Sequence, residues 1–277
     1  MTYFGFLAVF LCIPIALLWA LQVIDARRGV TLPLAWKSWP VWIIILAQAV
    51  VAVVYTTPWD NYLVATRVWW YSPGLVTGLV IGYVPIEEYT FFVLQTVLTA
   101  AWLLLLVRHR PQWSSAQVMH GSSVRRLVTG ILVVIWLVFA IILVKGWQPG
   151  TYLALLMVWA LPPLMLQTGF GADILWENRR YLLLTVIPMT LYLAIADKLA
   201  ISAGTWTINP AQSLNIFVFG TLPIEEFIFF FMTNVLVAVG VTLLSSKVSK
   251  KRFDEVVQSV KSRTVRTKAK RNYETSP

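Results

Sequence analysis

Seven apolar runs punctuate the chain, near residues 3–22, 39–56, 84–107, 127–144, 151–169, 181–197 and 221–244. Each approaches the roughly 20 residues that a helix needs to cross about 30 Å of hydrocarbon. The pattern predicts an all-α, polytopic integral membrane protein with about seven transmembrane helices. The stretches 74–84 and 211–220 are also fairly apolar, and joined to the following runs they exceed one straight helix. Each is therefore expected to be a half-helix or re-entrant element ending at a proline.

Composition supports the membrane assignment. Hydrophobic residues make up 58% of the 277 and charged residues 12%, where a soluble domain carries about 25% charge. The 14 Trp and 10 Tyr supply material for interfacial belts. The single Cys12 cannot close an intrachain disulfide. The run from Phe4 to Leu21 lacks the basic start and cleavage site of a signal peptide, and it is expected to be a retained span.

A net charge of +10 raises the question of nucleic acid. Ten of the 22 Lys and Arg lie between Lys247 and Arg271, after the last apolar run, and no nucleic-acid fold signature is present. The expected partner of this tail is the anionic membrane surface, not nucleic acid. Of the remaining basic residues, only Arg67, Lys145 and Lys198 fall at the N-terminus or after the second, fourth and sixth spans. Positive residues stay cytoplasmic, which places the N-terminus outside and the C-terminus in the cytoplasm.

The chain also repeats itself. Val84-Pro85-Ile86-Glu87-Glu88-Tyr89-Thr90-Phe91-Phe92 matches Leu222-Pro223-Ile224-Glu225-Glu226-Phe227-Ile228-Phe229-Phe230. Asp60 precedes Trp69 by nine positions and Asp197 precedes Trp206 by nine. Tyr3 precedes Pro14 by eleven, and Tyr152 precedes Pro163 by eleven. Ordered coincidences of this kind indicate internal duplication. The expected organisation is a first three-span repeat at 1–110, a cytoplasmic loop and linker span at 111–149, a second repeat at 150–245 and a basic cytoplasmic tail at 246–277. The linker span gives both repeats the same orientation, so both Glu-Glu motifs lie at one membrane face.

Ionisable groups inside a span are costly and point to function. Two neighbouring carboxyls in an apolar setting do not ionise together, because desolvation and like-charge repulsion both oppose the second charge. At least one member of Glu87/Glu88 and of Glu225/Glu226 is expected to keep its proton and serve as a general acid. Pro85 and Pro223 suit the first helical position, which puts both acids in the first turn, at the positive end of the dipole. Phe91, Phe92, Phe229 and Phe230 follow the acids by four residues and line the same helix faces. Rings stabilise a cation without attacking it. A proton donor among rings suits protonation of an alkene. The blander alternatives are interhelical hydrogen bonds for the Glu, lipid-facing packing for the Phe, helix caps for Asp60 and Asp197, and belt positions for Trp69 and Trp206.

At these motifs the chain resembles the membrane-integral lycopene cyclases, both the heterodimeric bacterial type and the fused archaeal and fungal forms. The resemblance rests on Pro85-Ile86-Glu87-Glu88, Pro223-Ile224-Glu225-Glu226 and the two Asp…Trp pairs, and it covers residues 1 to about 245. It implies carotenoid biosynthesis by acid-initiated cyclisation of the acyclic ends of lycopene, through a carbocation, to β-ionone-type rings. It implies Glu87 and Glu225 as the acids, since the family's second position varies to Asp, with Glu88 and Glu226 tuning or receiving the proton. Lycopene or a related acyclic carotenoid is the implied substrate, with membrane lipids and other carotenoid-biosynthesis enzymes as surroundings. No cofactor or metal is expected, no dinucleotide fingerprint is present, and the appended phytoene synthase domain of the fungal fusions is not expected.

A proton-coupled transporter would also use duplicated units and buried acids, but these spans offer few other polar residues. A retinal protein needs a lysine within 221–244, which holds none. A Glu-Glu prenyl-protein protease needs an Arg after the acids and intramembrane histidines. Here Phe91 stands three after Glu88, and His109 and His120 fall in the loop.

Overall fold

Proline appears inside four of the long helices, yet each helix continues through it. Proline leaves the carbonyl four residues earlier without its helical partner, and in lipid that group needs another donor. Neighbouring helices supply one in four cases. Tyr192 donates to the Phe10 carbonyl freed by Pro14 (2.9 Å), and Tyr55 to the Trp159 carbonyl freed by Pro163 (2.8 Å). Trp136 donates to Val158 ahead of Pro162 (3.2 Å), and Trp102 to Leu184 ahead of Pro188 (3.0 Å). Just before Pro14 the helix widens into a π-helical stretch at Ala8–Cys12.

The computed structural model describes residues 1–113 and 121–274, except for the side chains of 260, 261 and 263–274. Part of the expected loop (114–120, with His120) and the last three residues of the tail lie outside the described residues. Seven described helices are long and apolar enough to cross a membrane: α1 (Tyr3–Arg27), α2 (Val41–Ala65), α3 (Ile86–His109), α4 (Ser122–Lys145), α5 (Thr151–Glu177), α6 (Arg179–Ser202) and α7 (Ile224–Ser245). The chain is an all-α polytopic membrane protein. A further helix, α8 (Lys247–Glu274), carries the basic tail.

α3 and α7 form the centre, and α4 has no buried residue and packs at the periphery against α5. Between α3 and α7, Gln95 donates to Thr233 (2.6 Å) and Thr99 to Asn234 (2.7 Å). Interhelical bonds of this kind average about 0.6 kcal/mol in a bilayer, so side-chain packing carries most of the association. α8 is tied down by Arg252, which grips Asp173 of α5 with two nitrogens (2.9 and 2.7 Å), and Arg125 of α4 stands 3.8 Å from the same carboxylate.

Two expectations are corrected. The stretches 74–84 and 211–220 contain no half-helix. The first ends in a hairpin of β2 (Val80–Ile81) and β3 (Val84–Pro85), and the second leads into one of β5 (Phe217–Val218) and β6 (Leu222–Pro223). Gly82 opens the two-residue turn of the first hairpin at φ +68°, a conformation that breaks a helix and that favours glycine. Pro85 and Pro223 also stand one position earlier than expected. They cap the helices in extended conformation while pairing in the hairpins, and Ile86 and Ile224 begin α3 and α7. Both Glu pairs still fall in the first turn.

Candidate active site

The loops before α3 and α7 meet in an antiparallel pair of β1 (Trp69–Tyr71) and β4 (Trp206–Ile208). Trp69 stands opposite Ile208, and Tyr71 opposite Trp206. Further bonds extend the contact, from Ser72 N–H to Thr205 O (3.0 Å) and from Asn209 N–H to Val68 O (2.9 Å). This pairing brings the first turns of α3 and α7 to one end of the bundle. A narrow cavity lies there, lined from both halves of the chain.

Glu88 and Glu226 both line this cavity. Glu88 accepts hydroxyls from Tyr3 and, at 3.1 Å, from Tyr71, whose oxygen in turn accepts the Trp69 indole N–H at 3.3 Å. Glu226 accepts the Tyr152 hydroxyl at 2.7 Å. Burial first, then the nearby Asp60 and Glu88 carboxyls, hold the Tyr71 phenol well above its ordinary range, so it remains a donor.

Glu87 and Glu225 do different work. Each is fully buried and accepts a loop backbone N–H, from Thr77 at 2.6 Å and from Leu214 at 2.7 Å. Each pins the preceding loop to its helix, and neither lines the cavity. The proton-delivering position expected from the motif thus turns towards the loop, and the second Glu of each pair turns to the cavity.

Asp197 lines the cavity and accepts the Trp206 indole N–H at 2.9 Å. Asp60 is 1% exposed, and neither of its carboxyl oxygens has a hydrogen-bond partner. Both aspartates are close enough to Glu88 and Glu226 to interact electrostatically with each. A buried acid without partners is a cost that ordinary packing does not retain.

Rings form the remaining wall. Trp206 lies 4.9 Å from Tyr3 and 5.2 Å from Phe6 between centroids, and Trp69 lies 5.3 Å from Tyr152. Phe91, Phe229 and Phe230 reach the cavity, whereas Phe92 lines a different one. The sequence pattern did not single out Tyr3, Tyr152, Tyr71, Phe6 or Ile208 as site residues. Tyr3 and Tyr152 were legible only as spacing landmarks before Pro14 and Pro163. Among the described residues, no three of His, Cys, Asp and Glu are placed to hold a metal ion.

The fold is thus a helical membrane bundle in which carboxyls from two distant chain segments gather in one ring-walled cavity. The chain belongs to the lycopene cyclase family, whose model matches residues 1–106 and 149–244. It is 40% identical over 193 residues to the lycopene beta-cyclase of Halobacterium salinarum, covering 69% of this chain and 78% of that one. It is 34% identical over 197 residues to the bifunctional lycopene cyclase/phytoene synthase of Gibberella fujikuroi, covering 69% and 33%. The Sporisorium reilianum bifunctional protein is 36% identical over 231 residues, covering 79% and 33%. The chain thus spans about a third of each of these two fungal relatives. No solved structure matches it.

Proposed function

We propose that the protein closes a ring at an acyclic end of lycopene in the cavity shared by Glu88 and Glu226. One observation carries this reading: two carboxyls from separate halves, each held by a tyrosine hydroxyl, converge on a buried space walled by rings. The acid's proton adds to the terminal double bond. The cation so formed is attacked by the next double bond along the chain, which closes the ring and moves the positive charge onto a ring carbon. A base then removes a neighbouring ring proton and leaves a double bond. One proton enters and one leaves, so the carbon skeleton is isomerised with no net oxidation or reduction.

Glu226 is assigned as the acid and Glu88 as the base. Hydrogen bonds to the charged form favour that form, and Glu88 accepts two hydroxyls where Glu226 accepts one. The Phe91, Phe229, Phe230 and Trp206 rings line the cavity and face the cation without supplying a nucleophile.

Residues 1–110 and 150–245 are taken as two copies of one unit. Reciprocal bonds support this: Tyr55 of the first serves the second at Trp159, and Tyr192 of the second serves the first at Phe10. The Lys and Arg distribution supports an outer N-terminus and a cytoplasmic tail. The transporter alternative is set aside, because the chain belongs to an enzyme family.

The test is expression in lycopene-accumulating cells with pigment analysis. Cyclised carotenoid is expected for the wild type, of β-ring type, and little or none for Glu88→Gln and Glu226→Gln. Unchanged lycopene with well-expressed wild type would count against the reading, and full activity in both variants would remove the assigned acid and base.

A further inference from the structure

Phe229 lines two cavities. Beyond its ring, on the side away from the acids, a second cavity lies between α2 and α5 with α3 and α7 as its floor. Near the acid end, α2 and α5 are joined by side chains: Tyr55 donates to Trp159 O at 2.8 Å and Trp59 to Leu155 O at 3.1 Å. The Trp159 ring stacks on Trp59 at 4.4 Å and on Phe229 at 6.3 Å. Further along, where Ala52 and Gln48 face Pro163 and Gln167, no hydrogen bond among the described residues joins the two helices. Val51 and Tyr55, at the rim, are 58% and 40% exposed on the apolar outer face of α2.

Several polar groups of this cavity already have partners, while Gln167 Oε1 and the Trp159 indole N–H are buried without one. Gln95 donates to Thr233 (2.6 Å), Gln167 to Leu236 O (3.1 Å) and Thr96 to Phe92 O (2.8 Å). A polar group with its bonds made presents little penalty to an apolar neighbour. Val51, Ala52, Phe92, Pro163, Leu236 and Val237 give the cavity apolar walls that accept hydrocarbon, and its stacked rings offer flat faces to a conjugated chain.

We propose that this second cavity binds the polyene chain of the substrate, which enters from the lipid between α2 and α5 and threads one acyclic end past Phe229 to the acids. The inference rests on the functional reading above and adds the route and the chain-binding site. A linear hydrocarbon much longer than its reacting end must lie somewhere inside the bilayer. This cavity adjoins the acid cavity across the Phe229 ring, and the exposed Val51 and Tyr55 place its rim on the lipid-facing side. The competing occupant is a phospholipid acyl chain.

The experiment places a photo-reactive benzophenone side chain at Val51 and illuminates the full-length protein in membranes that contain lycopene. A protein adduct carrying the carotenoid chromophore is expected, and it should fall several-fold when Ala52→Trp fills the cavity. Ala52→Trp should also raise several-fold the lycopene level needed for half-maximal cyclisation, with the maximal rate little changed. Adducts with lipid alone, or a folded Ala52→Trp protein with wild-type lycopene dependence, would overturn the assignment. Failure of the functional reading looks different: the wild type would then leave lycopene unconverted, whatever Val51 labels.

Discussion

Glu88 and Glu226 face one cavity from opposite halves of the chain, yet their surroundings differ. Tyr71 supplies Glu88 with a second hydroxyl, and the matching position in β4 is Ile208, which has none to give. The two like motifs therefore meet as unequal partners, as the proposed division into an acid and a base requires.

That inequality is testable. Tyr71→Phe removes the extra donor and leaves Glu88 with Tyr3 alone, so conversion should fall roughly 10- to 150-fold, the order expected for loss of about 1.5–3 kcal/mol from a hydrogen bond to a charged group. Ile208→Tyr in the same background would show whether a donor on the other side restores activity. Initial rates of lycopene consumption in isolated membranes decide the matter, and wild-type rates for Tyr71→Phe would remove the distinction between the two acids.

The two Glu of each motif should respond differently to the same substitution. Glu88→Gln and Glu226→Gln should each lower the rate by about 100-fold or more, the usual contribution of a positioned acid or base. Glu87→Gln and Glu225→Gln keep an oxygen that accepts the Thr77 and Leu214 amides, and so should retain most activity. Pigment ratios at matched expression give the answer, and the reverse ranking would return the acid role to the first position.

Gly82 is more constrained than Gly78. Both have positive φ, but a Cβ at Gly82 would meet the Asn61 side chain, whereas at Gly78 it would meet open space. Gly78→Ala should cost about 1 kcal/mol of backbone strain, and Gly82→Ala should cost more and also loosen the Asn61–Tyr83 bond. Thermal unfolding in detergent compares them, and equal losses would show that the contact carries no weight.

Arg252→Ala should release α8 without abolishing cyclisation. It removes a two-nitrogen grip on the buried Asp173 and leaves it the Ile174 N–H at 3.1 Å and Arg125 at 3.8 Å. Breaking such a pair costs about 3–5 kcal/mol where the remaining charge stays buried. Limited proteolysis should then cut within the tail sooner than in the wild type, while pigment conversion continues. Unchanged proteolysis would mean that other contacts hold the helix.

Lycopene as substrate class and the membrane architecture were legible early because they rest on local signals. Apolar length identifies a span whatever it packs against, and the Pro-Ile-Glu-Glu motifs carried the family likeness. The 74–84 and 211–220 stretches run into hairpins that the sequence pattern does not reveal, because apolar content alone does not separate a helix from a hairpin. Their glycines, with positive φ, decided for the turn. Tyr55 and Tyr192 gave no signal of their own, since a tyrosine near a membrane interface has many uses. Only the packed bundle shows that they serve carbonyls freed by Pro163 and Pro14.

The sequence by itself determined seven membrane helices, the paired acids and their place in the first turn of α3 and α7, because each depends on residues within a few positions of one another. The tertiary structure alone decided which Glu faces the cavity, that both motifs share one cavity, and that Tyr71 makes them unequal. Adjacent residues on a helix point about 100° apart. Which one meets the other half depends on how the halves pack, and residues far apart in the chain set that packing.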